Sequence, residues 1–205
     1  MHSAQPKRDG RRAILEAALT QLANGGRASL RVHGVAAAAG VSPPLVLHHF
    51  GSKAGLIEAC DQHVLAVFRD AAHITEAGGG ELSLQALVGL PDGGLALQYV
   101  GRSLVDGGPV GRWWFDTIIE LLTTSHRRMV AAGQAREVDD PEMLIALAAS
   151  MDMGMLVLRP FVEAHLGAQL TSPETFERWM RAWFDLMTNG YLTSPSQPDD
   201  ARPHP

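Results

Sequence analysis

The sequence predicts an all-α fold, and three observations point to it. Apolar residues recur every three or four positions along most of the chain, the spacing that lines one face of a helix. No run of Val, Ile and Thr keeps the two-residue alternation of a half-buried strand. Glycine pairs and triplets divide the periodic stretches, at Gly25-Gly26, Gly78-Gly79-Gly80, Gly93-Gly94 and Gly107-Gly108-Pro109, where helices end. About nine helices are expected, in a short N-terminal group and a larger C-terminal one.

The first helix is expected over residues 11–24, with Ile14, Leu15, Ala18, Leu19 and Leu22 on its inner face and Gly25-Gly26 as its stop. A second runs over 32–39, turning Val32, Val35 and Ala36 inward before Gly40 breaks the chain. Ser42 is expected to cap a third through its hydroxyl. Pro43 fits that helix's first position, where a missing N–H costs little, and Pro44 still lies in the first turn. Gly51 follows Phe50 and ends it. Leu47 and Phe50 are expected in the core. Three short helices with a glycine turn between the second and third form a helix-turn-helix.

Charge separates this group from the remainder. Residues 1–53 hold seven Lys and Arg against two Asp and Glu; the rest of the chain holds ten against twenty. A net charge of −5 thus hides a basic end suited to a polyanion and an acidic body with another task. A helix about 10–12 Å across fits the roughly 12 Å major groove of duplex DNA. The start of the third helix, Pro43, Pro44 and Leu45 with His48 a turn later, then faces base edges. The prolines and Leu45 offer only apolar contact, for instance with a thymine methyl, and His48 offers a hydrogen bond. With no Arg for guanine, part of the specificity is expected from DNA shape and water. Lys53 is placed to hold phosphate, and Lys7, Arg8, Arg11 and Arg12 form a candidate arm along the backbone or minor groove.

The residues Ile14-Leu15-Glu16-Ala17-Ala18, Gly25, Val35-Ala36, Ala39-Gly40-Val41-Ser42 and His48-His49-Phe50-Gly51-Ser52-Lys53 occur in a fixed order. In this the stretch from Arg12 to Leu56 resembles the N-terminal domain of the TetR/AcrR family of bacterial repressors. The resemblance implies a ligand-responsive, homodimeric repressor that binds operator DNA through Arg11, Arg12, Arg31, Ser42, Pro43, Pro44, Leu45, His48 and Lys53. It implies release from DNA by a small, largely apolar molecule; ligand-dependent binding or activation is the reversed alternative. Two positions depart from the family pattern. Leu47 stands where a phosphate-binding Tyr is common, and Arg31 stands where Ser or Thr caps the second helix. Arg31 cannot accept an N–H but can reach a phosphate.

The body divides into further helices over residues 52–73, capped by Ser52, then 83–90, 95–105, 110–132, 140–165 with a bend expected at Pro160, and 172–190. The last carries Phe176, Trp179, Met180, Trp183, Phe184 and Met187 on one broad face. With Leu158 of the preceding helix, these are the expected dimer contacts, in a four-helix interface between two copies. The family's pocket lies among the helices corresponding to the fourth through eighth. There Phe68, Tyr99, Trp113, Trp114, His126, Met151 and Met155 are the candidate effector contacts, since aromatic and Met side chains build adaptable apolar walls. The resulting division is a flexible basic arm (1–10), a helix-turn-helix domain (11–53), a helical effector and dimerisation domain (54–192) and a Pro-rich disordered tail (193–205).

No nucleotide-binding glycine pattern, nucleophile elbow or zincin motif is present in the sequence. Glu120, His126 and Asp152 are the only acid-base set that suggests itself, so no catalytic residue is assigned and no enzyme is expected. His48-His49 and the Cys60-x-x-His63 spacing lack completing ligands, so no metal and no cofactor are expected. The competing readings are an all-helical carrier or hydrolase with an incidental basic head, and a nucleoid-type DNA binder without ligand control. One cysteine allows no internal disulfide. The polar start lacks a signal-peptide core, and no run of about 18 apolar residues marks a membrane span. The expected place is the cytoplasm, without a membrane partner.

Overall fold

The computed structural model describes residues 6–77 and 89–190. Among these residues there are eight helices and no strand: α1 (Pro6–Ser29), α2 (Val32–Ala38), α3 (Pro43–Phe50), α4 (Lys53–Ala77), α5 (Gly93–Val105), α6 (Pro109–Ala131), α7 (Pro141–Leu166) and α8 (Pro173–Asn189). The all-helical fold is as the sequence predicts. The expected helix over 83–90, the loop at Gly78-Gly79-Gly80 and the tail from Thr193 lie almost wholly outside the described residues. The first helix starts at Pro6 rather than Arg11, because a proline opens a helix without losing a needed N–H and Lys7 and Arg8 favour helix.

Local chemistry sets the ends of the first three helices. Gly26 has φ 73° and ψ −178°, so the regular ladder of α1 breaks there and the chain turns toward α2. After α2, the Gly40 N–H bonds Ala37 O at 3.3 Å and the Val41 N–H bonds Ala36 O at 2.9 Å, the paired closure of a Schellman turn. Ser42 precedes α3 in extended geometry but makes no side-chain capping bond, contrary to expectation. The second helical residue, Pro44, has no N–H to offer, and the Leu45 N–H goes to the Ser42 carbonyl at 3.0 Å. Ser52 does cap α4: its hydroxyl accepts the Gly55 N–H at 3.0 Å.

One apolar core runs from Ile14, Leu19 and Leu22 of α1 through Val35, Val46 and Leu56 to Phe68, Leu97, Val100, Val110 and Met153. The head and the body share it. Helix α5 is its hub, burying Ala96, Leu97, Tyr99, Val100, Gly101 and Ser103 and packing against α1, α4, α6 and α7. The α5–α7 crossing is close because Gly101 has no side chain: a Cβ there would sit 3.0 Å from the Leu156 carbonyl oxygen. That carbonyl lacks its helical partner, since Pro160 four residues on has no N–H, and α7 runs through Pro160 as one helix.

Helix α7 corrects one expectation. It is long and apolar enough, by length and composition, to cross a membrane, where the sequence is expected to hold no such stretch. Asp152, Arg159 and Glu163 interrupt it, and part of it packs on α5 and α6. Helix α8 makes few contacts with its own chain, and Phe184 and Met187 are exposed.

Candidate nucleic-acid interface, cavity and apolar face

Helix α3 is anchored by Val46, which is 1% exposed. Helical residues step by about 100°, so the side opposite Val46 is centred on Pro44 and His48, one turn apart, with Leu45 and Leu47 on its flanks. All four are exposed. Leu45 is 37% and Leu47 43% exposed. The expectation that Leu47 belongs to the core is therefore corrected: the register that buries Val46 turns Leu47 outward. Phe50 is half-buried against the core. Pro43 is half-buried, and Ser42 and Lys53 are exposed beside the same face.

The flanking cations have neighbours of their own. The Arg11 guanidinium lies 5.0 Å from the Phe50 ring centroid, a cation–π geometry that ties α1 to the end of α3. Arg12 pairs with Glu16 at 2.7 Å on the exposed surface of α1. Arg31 does not cap α2. Its Nη1 donates to the carbonyls of Ala28 at 2.7 Å and Leu30 at 3.1 Å, satisfying acceptors left over where α1 unwinds.

The residues expected to hold an effector do not gather in one cavity. Phe68, Trp113 and Trp114 form a packed cluster with ring centroids 4.6 to 6.1 Å apart. Tyr99 is buried beside Asp61, and Met151 and Met155 are half-buried on α7. Only His126 lines an open cavity of about 920 Å³ between α6 and the start of α7. Its other walls include Phe115, Ile119, Val130, Val138, Pro141 and Ile145, with Arg127, Glu137 and Glu142 among them. Sequence reasoning passed over these residues. The recurrence of Phe115, Ile119, Thr123, His126 and Val130 at three- and four-residue steps was the available signal.

A second network was also missed. Asp61 of α4 is 8% exposed. Its Oδ1 accepts the Tyr99 hydroxyl at 2.5 Å, and its Oδ2 accepts Arg27 Nη2 at 3.1 Å. Burial and the facing carboxylate push the Tyr99 hydroxyl well above the usual phenol range. Three helices from both halves of the chain meet there, and no spacing rule foretells it.

The expected dimer residues lie on or beside α8. Leu158 and Phe184 are more than half exposed, Met187 is exposed, and Phe176, Trp179, Met180 and Trp183 are half-buried. Trp183 Nε1 is shielded yet finds no hydrogen-bond partner among the described residues. Among those residues, no three His, Cys, Asp or Glu side chains come together as a metal site would need; His63 instead pairs with Asp92 at 3.0 Å.

A compact three-helix head with an outward second helix of a helix-turn-helix, set on a helical body, defines a DNA-binding regulator. Residues 14–60 match the family described as "Bacterial regulatory proteins, tetR family". Residues 94–193 match "Tetracyclin repressor-like, C-terminal domain". The chain belongs to the tetR family of bacterial regulatory proteins. It is 31% identical over 129 residues to the HTH-type transcriptional regulatory protein RaaS of Mycobacterium tuberculosis, covering 62% of this chain and 60% of that one. It is 35% identical over 83 residues to the HTH-type transcriptional regulator BetI of Escherichia coli O45:K1, covering 38% and 43%. The chain thus spans about half the length of the curated relatives it matches. Among solved structures, Salmonella enterica GusR matches with 25% identity and a TM-score of 0.46, over 75% of this chain and 84% of that one.

Proposed function

We propose that this chain acts as a cytoplasmic homodimeric repressor, released from its operator by a small, largely apolar molecule. The observation that carries the reading is the shared core of α1 and α5. The first helix of the head packs on the hub of the body, so a ligand that favours one position of α5 also favours one position of the head. The shift is bounded by the ligand's differential affinity for the two states.

On this reading residues 11–53 form the DNA-binding unit and 54–192 the effector and dimer unit. Pro43, Pro44, Leu45 and His48 enter the major groove, while Ser42, Lys53, Arg31, Arg11 and Arg12 meet phosphates. The effector occupies the cavity between α6 and α7, where Phe115, Ile119, Val130 and Ile145 bury an apolar body and His126 orients it. The unburied faces of α7 and α8 pair with those of a second copy, placing two heads on two half-sites.

Binding of the full chain to the DNA upstream of its own gene, at physiological salt and against random duplex, tests the proposal. Preference for the upstream DNA, relieved by a small apolar compound, is the expected result. Equal affinity for both duplexes overturns it. Preference that no such compound weakens leaves only a constitutive binder.

A further inference from the structure

We infer that the reading helix recognises its half-site chiefly through thymine methyl groups in the major groove, packed against Pro44, Leu45 and Leu47. The inference rests on the DNA-binding reading above and specifies its base chemistry.

The outward face of α3 is apolar except at one residue. Pro44, Leu45, Leu47 and His48 make up that face, and the eight residues of the helix include no Arg, Lys, Asn, Gln, Asp or Glu. The bidentate pairs that name guanine and adenine by hydrogen bonding need just those side chains. Their absence leaves the thymine 5-methyl as the base-edge feature that an apolar side chain can distinguish. The first turn adds no backbone donors, because Pro43 and Pro44 have none and the Leu45 and Val46 N–H groups both go to the Ser42 carbonyl.

The geometry suits that task. Val46 is fixed in the core, so the helix cannot roll to hide its leucines. Pro44 is central, with Leu45 and Leu47 to either side. Two exposed leucines on an eight-residue helix expose apolar surface that a methyl-lined groove wall would cover. His48, at the centre one turn on, supplies a single hydrogen bond to a base or phosphate and fixes the register. Lys53, exposed just past the end of α3, adds a positive charge suited to a polyanion.

The experiment selects a preferred duplex from a randomised pool with the full chain, then replaces its half-site thymines by deoxyuridine, which removes only the methyl. The selected duplex should be rich in A·T pairs where α3 docks. Each contacted methyl removed should weaken binding about fourfold, the worth of one buried carbon at about 0.8 kcal/mol. In Leu45→Ala the thymine and uracil duplexes should bind more nearly alike at the position that Leu45 covers, with far-ultraviolet circular dichroism unchanged. Equal affinity of the native chain for thymine and uracil duplexes overturns the inference while leaving the regulator reading intact, as does a thymine preference that survives in the Pro44→Ala/Leu45→Ala/Leu47→Ala triple variant. A pool from which no duplex is enriched overturns both.

Discussion

The Tyr99 hydroxyl of α5 donates to Asp61 of α4 at 2.5 Å, and the same carboxylate receives Arg27 from the end of α1 at 3.1 Å. A nearly buried carboxylate is tolerated only when charge and hydrogen bonds compensate it. Here compensation comes from both the head and the body. Tyr99→Phe removes one bond to a charged group and should cost about 1.5–3 kcal/mol in urea unfolding at fixed protein concentration. Arg27 is partly exposed, so solvent screens its share and Arg27→Ala should cost less than Asp61→Ala. The double variant Tyr99→Phe/Arg27→Ala should depart from additivity, because both act on one carboxylate. Strict additivity would mean the three groups do not act together.

Gly26 is the backbone hinge of the same corner. Its φ of 73° is costly for a side chain, and a Cβ there would run into the Asp106 carboxylate and Arg102. Gly26→Ala should therefore destabilise the chain by about 1–3 kcal/mol. Thermal unfolding checks it, and an unchanged midpoint would show that the corner yields freely.

Much of this fold was legible because its helix ends rest on local chemistry. Ser52 accepts the Gly55 N–H as its position foretold, and Asp140 and Ser172 accept from Met143 and Thr175 ahead of prolines that open α7 and α8. What failed was chemistry set at a distance. Ser42 looked like a cap, but two prolines removed a donor it would have served. Leu47 looked like core by type, yet the register is set by Val46. Phe68, Trp113 and Trp114 looked like a pocket lining, and they fill their own space instead. The Asp61 network joins residues far apart in sequence, so only the packing of α1, α4 and α5 reveals it.

Cys60 is fully buried, and desolvation with the adjacent Asp61 charge pushes its thiol up to about 12. The thiolate is the reactive form. The native chain should hardly react with a disulfide exchange reagent at pH 8, and the urea-unfolded chain should react at once. Since the folded pKa is the higher one, the stability it contributes is complete below about 8.5, the ordinary thiol value. It is then lost as pH rises toward 12. Rapid labelling of the native chain at pH 8 would contradict the burial.

Asp152 sits half-buried on α7, and burial raises its carboxyl above the usual value. The charged form is thus disfavoured in the folded chain. Asp152→Asn should raise the thermal midpoint at pH 7. The gain should shrink as pH falls through the raised folded value toward about 4, and should be gone below it, where unfolded Asp152 also holds its proton. A gain that persists at pH 3 would point to packing rather than charge.

Phe184 and Leu158 test the pairing of two copies. Phe184 is 56% exposed in the single chain, on the apolar face of a helix that has little else to pack against. Phe184→Glu loses the burial of a large apolar side chain, about 1.5–3 kcal/mol, and two-fold symmetry counts the loss twice. Dimer affinity should then fall by about two to four orders of magnitude. Sedimentation equilibrium should show a species near the 22.0 kDa chain mass where the native chain has twice that. Because the head is remote in sequence from this face, helix content should be unchanged while affinity for a two-half-site duplex drops. Leu158→Glu, on α7, should act in the same direction. A variant chain that stays dimeric would place the contact elsewhere. A monomer that still binds the duplex with native affinity would show that one head suffices.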